Sequence, residues 1–409
     1  MKIFSLLTGI LIFFSLLSNS IIKISFEEGE GIDEYEIQWE KSYGKLWWWS
    51  ARYEGPQPVG DADNDGKNEL LIGGRDPFLR VMKWDENKKI YYEQARIVDP
   101  VFGIGYGIWI KFGNDWHRIS QPFGSATGFG IADIDNDGKN EIGVAWGRHF
   151  SAFKWDGSRY KKIGMYIIDK GRRWGTTLDC IIGDADNDGK NEVIVTGGYS
   201  SDIPEVIVIY WDGKEFVKES ECNFLGSHSV YFPWISDVDG DGKNEIICNT
   251  DSTYVLKWNG NEWEKNIVAI HNESYPFGCV AEDSDNDGMV EIHVTFYSPM
   301  LKIYEYENGT YTEKANFYWE NEEGTIEAID VGDADNDGMA EIAVGTNYVH
   351  ILEWNGEEYV EESLIEETYG LLAVTCVGDM DNDGKNEVHA GAVGVSFGEE
   401  YKAWIFKHI

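Results

Sequence analysis

The 409-residue sequence predicts an all-β protein: a seven-bladed β-propeller with four antiparallel strands per blade, its ring closed by an N-terminal strand pairing in the last blade. Three observations carry that prediction. An acidic nine-residue loop, first met as "DADNDGKNE" at Asp61–Glu69, returns six more times, starting at residues 133, 184, 237, 283, 333 and 379. Successive starts differ by 72, 51, 53, 46, 50 and 46 residues, so the repeat runs almost end to end with one long insertion, and such a repeat dictates the architecture. Short apolar runs flank each loop, and a hairpin signal follows them. A solenoid would need capping repeats, whereas the first and last copies here look ordinary.

Taken in order, residues 1–20 are expected to form a signal peptide: Lys2 precedes an apolar run from Ile3 to Leu17, with Ser18 and Ser20 at the cleavage end. No later run approaches the ~20 apolar residues of a spanning helix. Residues 33–409 are expected to form one propeller domain. Its blades should fall at roughly 45–98, 120–168, 174–222, 228–271, 275–320, 325–367 and 370–409, the last joined by 33–41. The third repeat shows the plan. "CIIGDADNDGKNEVIVTGG" puts a strand on each side of the loop, and "EVIVIYWDGKEFVKES" puts two more around Asp212-Gly213, a tight-hairpin signal. The turn returns after Trp155, Trp258 and Trp354, and more loosely after Tyr306 and Trp84. The last repeat stops at "YKAWIFKHI", after its third strand. "DEYEIQWEK" (Asp33–Lys41) resembles the fourth strands "KEFVKES" and "EEYVEES", so the two chain ends should share the seventh blade and leave no exposed edge.

Composition sets further bounds. Hydrophobic residues at 42% and aromatics at 14% supply a core and argue against disorder. A net charge of −39 excludes a nucleic-acid partner bound through phosphate neutralisation. The loops hold 28 of the 73 acids, and seven divalent cations would bring the balance to about −25. Five cysteines (Cys180, Cys222, Cys248, Cys279, Cys376) follow no metal-ligand spacing and read as buried thiols, with one disulfide left open.

The loop has the chemistry of a hard-cation site. Carboxylates at positions one, three, five and nine offer oxygen ligands, and glycine at six permits the sharp turn. The candidate ligands are Asp61, Asp63, Asp65 and Glu69; Asp133, Asp135, Asp137 and Glu141; Asp184, Asp186, Asp188 and Glu192; Asp237, Asp239, Asp241 and Glu245; Asp283, Asp285, Asp287 and Glu291; Asp333, Asp335, Asp337 and Glu341; Asp379, Asp381, Asp383 and Glu387. Position seven varies in chemistry (Lys67, Lys139, Lys190, Lys243, Met289, Met339, Lys385), consistent with use of its backbone carbonyl alone. An EF-hand needs a glutamate at position twelve, where this chain has Ile72, Val144, Val195, Cys248, Val294, Val344 and Ala390. Without a cation, carboxylates so close would repel one another.

These D-x-D-x-D-G-x-x-E loops, spaced about fifty residues apart from Asp33 to Ile409, resemble the FG-GAP/VCBS repeats of integrin α-subunit-like β-propellers. The resemblance implies calcium, up to seven ions, held by side chains one, three, five and nine and by the seventh carbonyl, between the first two strands of each blade. Two departures stand out: all seven blades carry the loop, and position nine is Glu throughout.

In a propeller the acidic loops and hairpin turns share one face, and the remaining connections share the other. That other face is expected to carry a ligand site over the first three blades, built from Trp47, Trp48, Trp49, Arg52, Trp109, Trp116, Arg172, Arg173 and Trp174. Trp stacks on apolar sugar faces and Arg grips carboxylates. The expected function is an exported, secreted or surface-held binding or adhesion module for a glycan or protein ligand. A calcium-dependent polysaccharide lyase, needing a base such as His117 or His228, is one alternative, and a purely structural surface protein is the other. No Ser-His-Asp order, phosphate loop or zinc spacing marks a catalytic centre.

Overall fold

The computed structural model describes residues 22–23, 34–44, 59–73, 77–101, 107–113, 115–120, 124, 126–168, 177–197, 205–227, 229–322, 328–393 and 402–409. Seven four-stranded antiparallel sheets form the blades of a propeller, with no helix among the described residues.

The third blade sets the pattern. Its strands, Thr177–Gly183, Glu192–Gly197, Glu205–Trp211 and Phe216–Asn223, lie in sequence order from the axis outwards. The first strands of successive blades, from the second blade to the seventh, lie side by side around the axis. Second strands are buried throughout, which is why they read as unbroken apolar runs such as "EVIVTG". Apolar residues of neighbouring sheets interdigitate into a core that is divided among the blades rather than gathered at one centre.

Each hairpin is clamped by a pair of rings. The aromatic residue ending the third strand packs on the one opening the fourth: Trp84–Tyr91, Trp155–Tyr160, Trp211–Phe216, Trp258–Trp263, Tyr306–Tyr311 and Trp354–Tyr359, at centroid distances of 4.7 to 5.0 Å. In the seventh blade His408 and Tyr35 repeat the pair at 5.1 Å, although they come from opposite ends of the chain.

Ring closure follows the expectation. Tyr35–Ser42 runs antiparallel to Lys402–His408, with Tyr35 opposite His408 and Ser42 opposite Lys402. Two features lay outside the sequence reading. The long insertion folds back as a hairpin of its own, Gly107–Phe112 against Asp115–Ser120. Ile22–Lys23 adds a short parallel strand outside the fifth blade, with Ile22 opposite Phe317. All five cysteines are buried and free, so the disulfide left open above is absent. No described helix is long and apolar enough to cross a membrane.

Ile405 sits in the strand Lys402–His408, which the closing strand joins, with neighbours on both sides, opposite Trp39 and His389. Ile405→Pro would remove a ladder hydrogen bond from a strand paired on both edges and leave its buried partner unsatisfied, at about 1–3 kcal/mol. The expected outcome is a clearly lowered urea midpoint by circular dichroism.

Candidate metal centres

Each acidic loop connects the first two strands of its blade, and each ninth-position glutamate is the first residue of the second strand. Those seven glutamates are at most 3% exposed. In every blade one oxygen of that glutamate accepts the N–H of the second loop residue: Ala62, Ile134, Ala185, Val238, Ser284, Ala334 or Met380, at 2.7 to 3.1 Å. The sixth-position glycines, from Gly66 to Gly384, all have φ between 84° and 98°, a region open to glycine at little cost. The first aspartate caps that turn, as where Asp61 Oδ2 accepts the Gly66 N–H at 2.9 Å.

The acids of a loop converge. Carboxylate oxygens of Asp237, Asp239, Asp241 and Glu245 lie within 4.8 Å of one another, as do those of Asp61, Asp63 and Glu69, of Asp133, Asp135 and Glu141, of Asp184, Asp186 and Glu192, and of Asp283, Asp285 and Asp287. Four buried oxygens, Oδ1 of Asp135, Asp184, Asp239 and Asp333, have no hydrogen-bond partner among the described residues. Oxygen donors that are buried, crowded and unsatisfied fit a hard cation. The side chains at position seven mostly point to solvent, as for Lys67 and Met339, which leaves only their carbonyls for a ligand role.

Sequence reasoning missed the lysines. Lys83 lies 2.9, 2.8 and 2.5 Å from Asp63, Asp65 and Glu69. Lys154 is placed alike, at 2.9, 2.7 and 2.6 Å from Asp135, Asp137 and Glu141. Lys257 reaches Asp239, Asp241 and Glu245, and Lys407 reaches Asp381, Asp383 and Glu387. These four stand one residue before the aromatic that ends the third strand. In the fifth blade that place belongs to Glu305, and Lys314 arrives from a bulge in the fourth strand, 2.6 Å from Asp285 and 3.0 Å from both Glu291 and Glu305. The third and sixth blades have Tyr210 and Glu353 before the aromatic, and Glu219 and Glu362 at the bulge.

The electrostatics follow this division. Burial pushes Glu69, Glu245 and Glu387 up to about 7, with the nearby lysine opposing the shift. It pushes Glu192 and Glu341, which have no such lysine among the described residues, up to about 8. Burial works against the charge on Lys83, but hydrogen bonds to Asp63, Asp65 and Glu69 hold its pKa above the usual range.

Neighbouring loops are also tied to each other. The fourth-position asparagine of one loop accepts the N–H of the eighth residue of the next blade's loop and donates to that residue's carbonyl. Asn136 accepts from Asn191 at 2.8 Å and donates to it at 3.2 Å. Asn191 in turn donates its side-chain amide to the Asp133 carbonyl at 2.9 Å. The same clasp joins Asn64 to Asn140, Asn187 to Asn244, Asn336 to Asn386 and, across the chain ends, Asn382 to Asn68. Asn286 keeps a single bond, to Ala340. Between the fourth and fifth blades, Gly240 and Val290 hold the two places and supply no side-chain clasp.

Of the expected ligand-face residues, Trp47, Trp48, Trp49, Arg52, Arg172, Arg173 and Trp174 lie outside the described residues. Trp109 and Trp116 fall on the inserted hairpin, where Trp109 is opposite Arg118 and Trp116 opposite Lys111. On the same face a second aromatic group stands over the fourth and fifth blades. Tyr231 stacks on Phe277 at 4.3 Å, and Tyr297, 65% exposed, lies 6.2 Å from Phe277.

Fold and loops together define a propeller whose acidic turns line one face. The FG-GAP-like repeat profile matches residues 237–294 and 283–344, spanning the fourth to sixth blades. The chain carries FG-GAP-like repeats, consistent with an FG-GAP, integrin-like propeller. No curated protein matches it in sequence. In structure it is similar to a chain of the crystal structure of BBS1N in complex with ARL6DN, soaked with lead. That match has a TM-score of 0.55 and 12% identity, over 92% of this chain and 97% of the other, a likeness of fold alone.

Asn136→Ala would remove two hydrogen bonds across one seam while leaving the acids in place. At a net 0.5–1.5 kcal/mol per bond, the loss should be about 1–3 kcal/mol, read as a lowered denaturation midpoint.

Proposed function

We propose that the chain is an exported, calcium-stabilised propeller that binds a glycan on the face opposite its acidic loops. The observation that carries the reading is the separation of the two faces. The carboxylates gather where first and second strands meet, and Tyr231, stacked on Phe277, stands with Tyr297 at the other end of the same blades. Tyr297 is exposed and the other two rings are half-buried, an arrangement that suits the apolar face of a sugar. Calcium is proposed over other cations because the donors are all oxygens and the glycine turn wraps them closely. The role assigned to it is structural: neutralising the loops stiffens the face that carries the rings. The apolar run at residues 3–17 supports export, and the millimolar calcium of an extracellular setting suits loops of this type.

Gel affinity electrophoresis against neutral and acidic polysaccharides, with calcium and with a chelator, tests the binding. Retardation of the parent is expected, reduced in Tyr297→Ala and Phe277→Ala. Shortened polymer with unsaturated ends would favour a lyase, and no retardation on any polymer would favour a protein ligand or a structural role. Chelation is expected to lower the melting temperature. Each site filled at about a hundredfold its Kd adds about 2.7 kcal/mol, so differential scanning calorimetry should register the loss.

A further inference from the structure

We propose that the seven loops form two classes: five carry their own counter-cation, a lysine of the same blade, and two, in the third and sixth blades, take the divalent cation. The inference rests on the calcium reading above and assigns its sites unequally.

The geometry separates the classes at three points. In the five lysine blades, the ninth-position glutamate gives one oxygen to a backbone N–H and turns the other, Oε1, to the ammonium of Lys83, Lys154, Lys257, Lys314 or Lys407. Glu192 and Glu341, 3% and 1% exposed, make the same backbone bond, but among the described residues no lysine meets their second oxygen. The first aspartate differs as well. Oδ1 of Asp61, Asp133, Asp237, Asp283 and Asp379 accepts the N–H of the fifth loop residue. In the other two loops that N–H, of Asp188 or Asp337, goes to the third-position aspartate instead. Asp184 Oδ1 and Asp333 Oδ1 are left buried with no hydrogen-bond partner among the described residues. The third difference is an added acid. Where four of the other blades bring Gln94, Ile163, Lys314 or Gln38 over the loop from the fourth-strand bulge, and the fourth blade has its bulge at Val268, these two bring Glu219 and Glu362, which face Asp186 and Asp335. The third loop has one cation nearby, the exposed Lys190, at 3.4 Å from Asp188 and remote from the buried glutamate.

A divalent ion entering a lysine loop must displace an ammonium already bonded to the oxygens it needs. In the third and sixth loops it meets five carboxylates with no competing lysine on the buried glutamate. The two classes should therefore differ at least about tenfold in Kd, which is about 1.4 kcal/mol.

Calcium titration of the full chain by isothermal calorimetry, with metal content measured after equilibrium dialysis, decides the matter. Two tight ions per chain are expected. Glu341→Gln should reduce the tight count to one, and Lys154→Gln, which frees a loop, should raise it to three. Lys154→Gln should also melt at a lower temperature without calcium and recover more than the parent when calcium is added, so partial destabilisation does not obscure the result. Any tight count other than two in the parent, or an unchanged count in either variant, overturns the division. Seven equivalent ions would do so while leaving the calcium reading intact, whereas no bound calcium at millimolar concentration would overturn both.

Discussion

The structure depends on a buried glutamate at the ninth position of each loop. It opens the second strand, reaches back to the N–H of the second loop residue, and so fixes where the turn ends and the sheet begins. An ionised carboxylate taken out of water costs several kcal/mol unless its charge is met. The surrounding aspartates worsen the problem, because they cap the turn with further negative charge. Every blade must answer this constraint, and the answers differ: an ammonium from the third strand, an ammonium from the bulge, or, in the third and sixth loops, no described lysine on the buried glutamate. The charge on the loop face is therefore a set of local solutions, one per blade, rather than a diffuse acidic coat.

Blades that solve their own charge must still hold together, and the joints lie beside the same loops. The ring opening each fourth strand walls the loop of the preceding blade. Tyr160, pushed up by burial and by Glu69 and its neighbours, does this for the first loop, and Tyr359 donates or accepts a hydrogen bond with Ser284 of the fifth at 2.6 Å. At the closing seam Tyr91 donates to Gln38 at 2.8 Å, and Gln38 donates to Asp381 at 2.6 Å. The N-terminal strand thus completes both a sheet and the wall of an acidic loop. Closure is worth more than the ladder bonds of one strand, because it removes an edge and finishes two interfaces at once.

What could be read from the sequence was what repeats within one blade. The loop, the Asp/Asn-Gly turn and the apolar runs recur because each is dictated by residues close in sequence, and seven copies made the architecture plain. The closing strand was legible for the same reason: "DEYEIQWEK" resembles the fourth strands "KEFVKES" and "EEYVEES". The asparagine clasp repeats too, at positions four and eight, but its meaning needs two blades side by side, about fifty residues apart. The lysines were hidden more deeply. Four share the place before the hairpin aromatic, yet Lys314 reaches the same oxygens from another strand, and only the bulge at that register reveals the equivalence. The aromatic group of Tyr231, Phe277 and Tyr297 draws on three connections of two blades, so no single stretch announces it.

The seam between the fourth and fifth blades shows how these layers trade against each other. It lacks the clasp because Gly240 has no side chain and Val290 no amide. Gly240 keeps the left-handed turn, at φ 70°, that asparagine adopts elsewhere. Met289 packs where the missing group would stand, its methyl 3.1 Å from the place of a Cβ on Gly240. At the opposite end the same two blades are joined by Tyr231 stacked on Phe277, and between them Cys279 donates its thiol to the Phe232 carbonyl at 2.7 Å. A seam held by packing on the loop side and by stacked rings on the other is less directional than one held by amide bonds. The rings proposed to meet a ligand therefore stand over a joint without the asparagine clasp, so the stiffening a cation gives the loops reaches them through the strands of the blades rather than through that clasp.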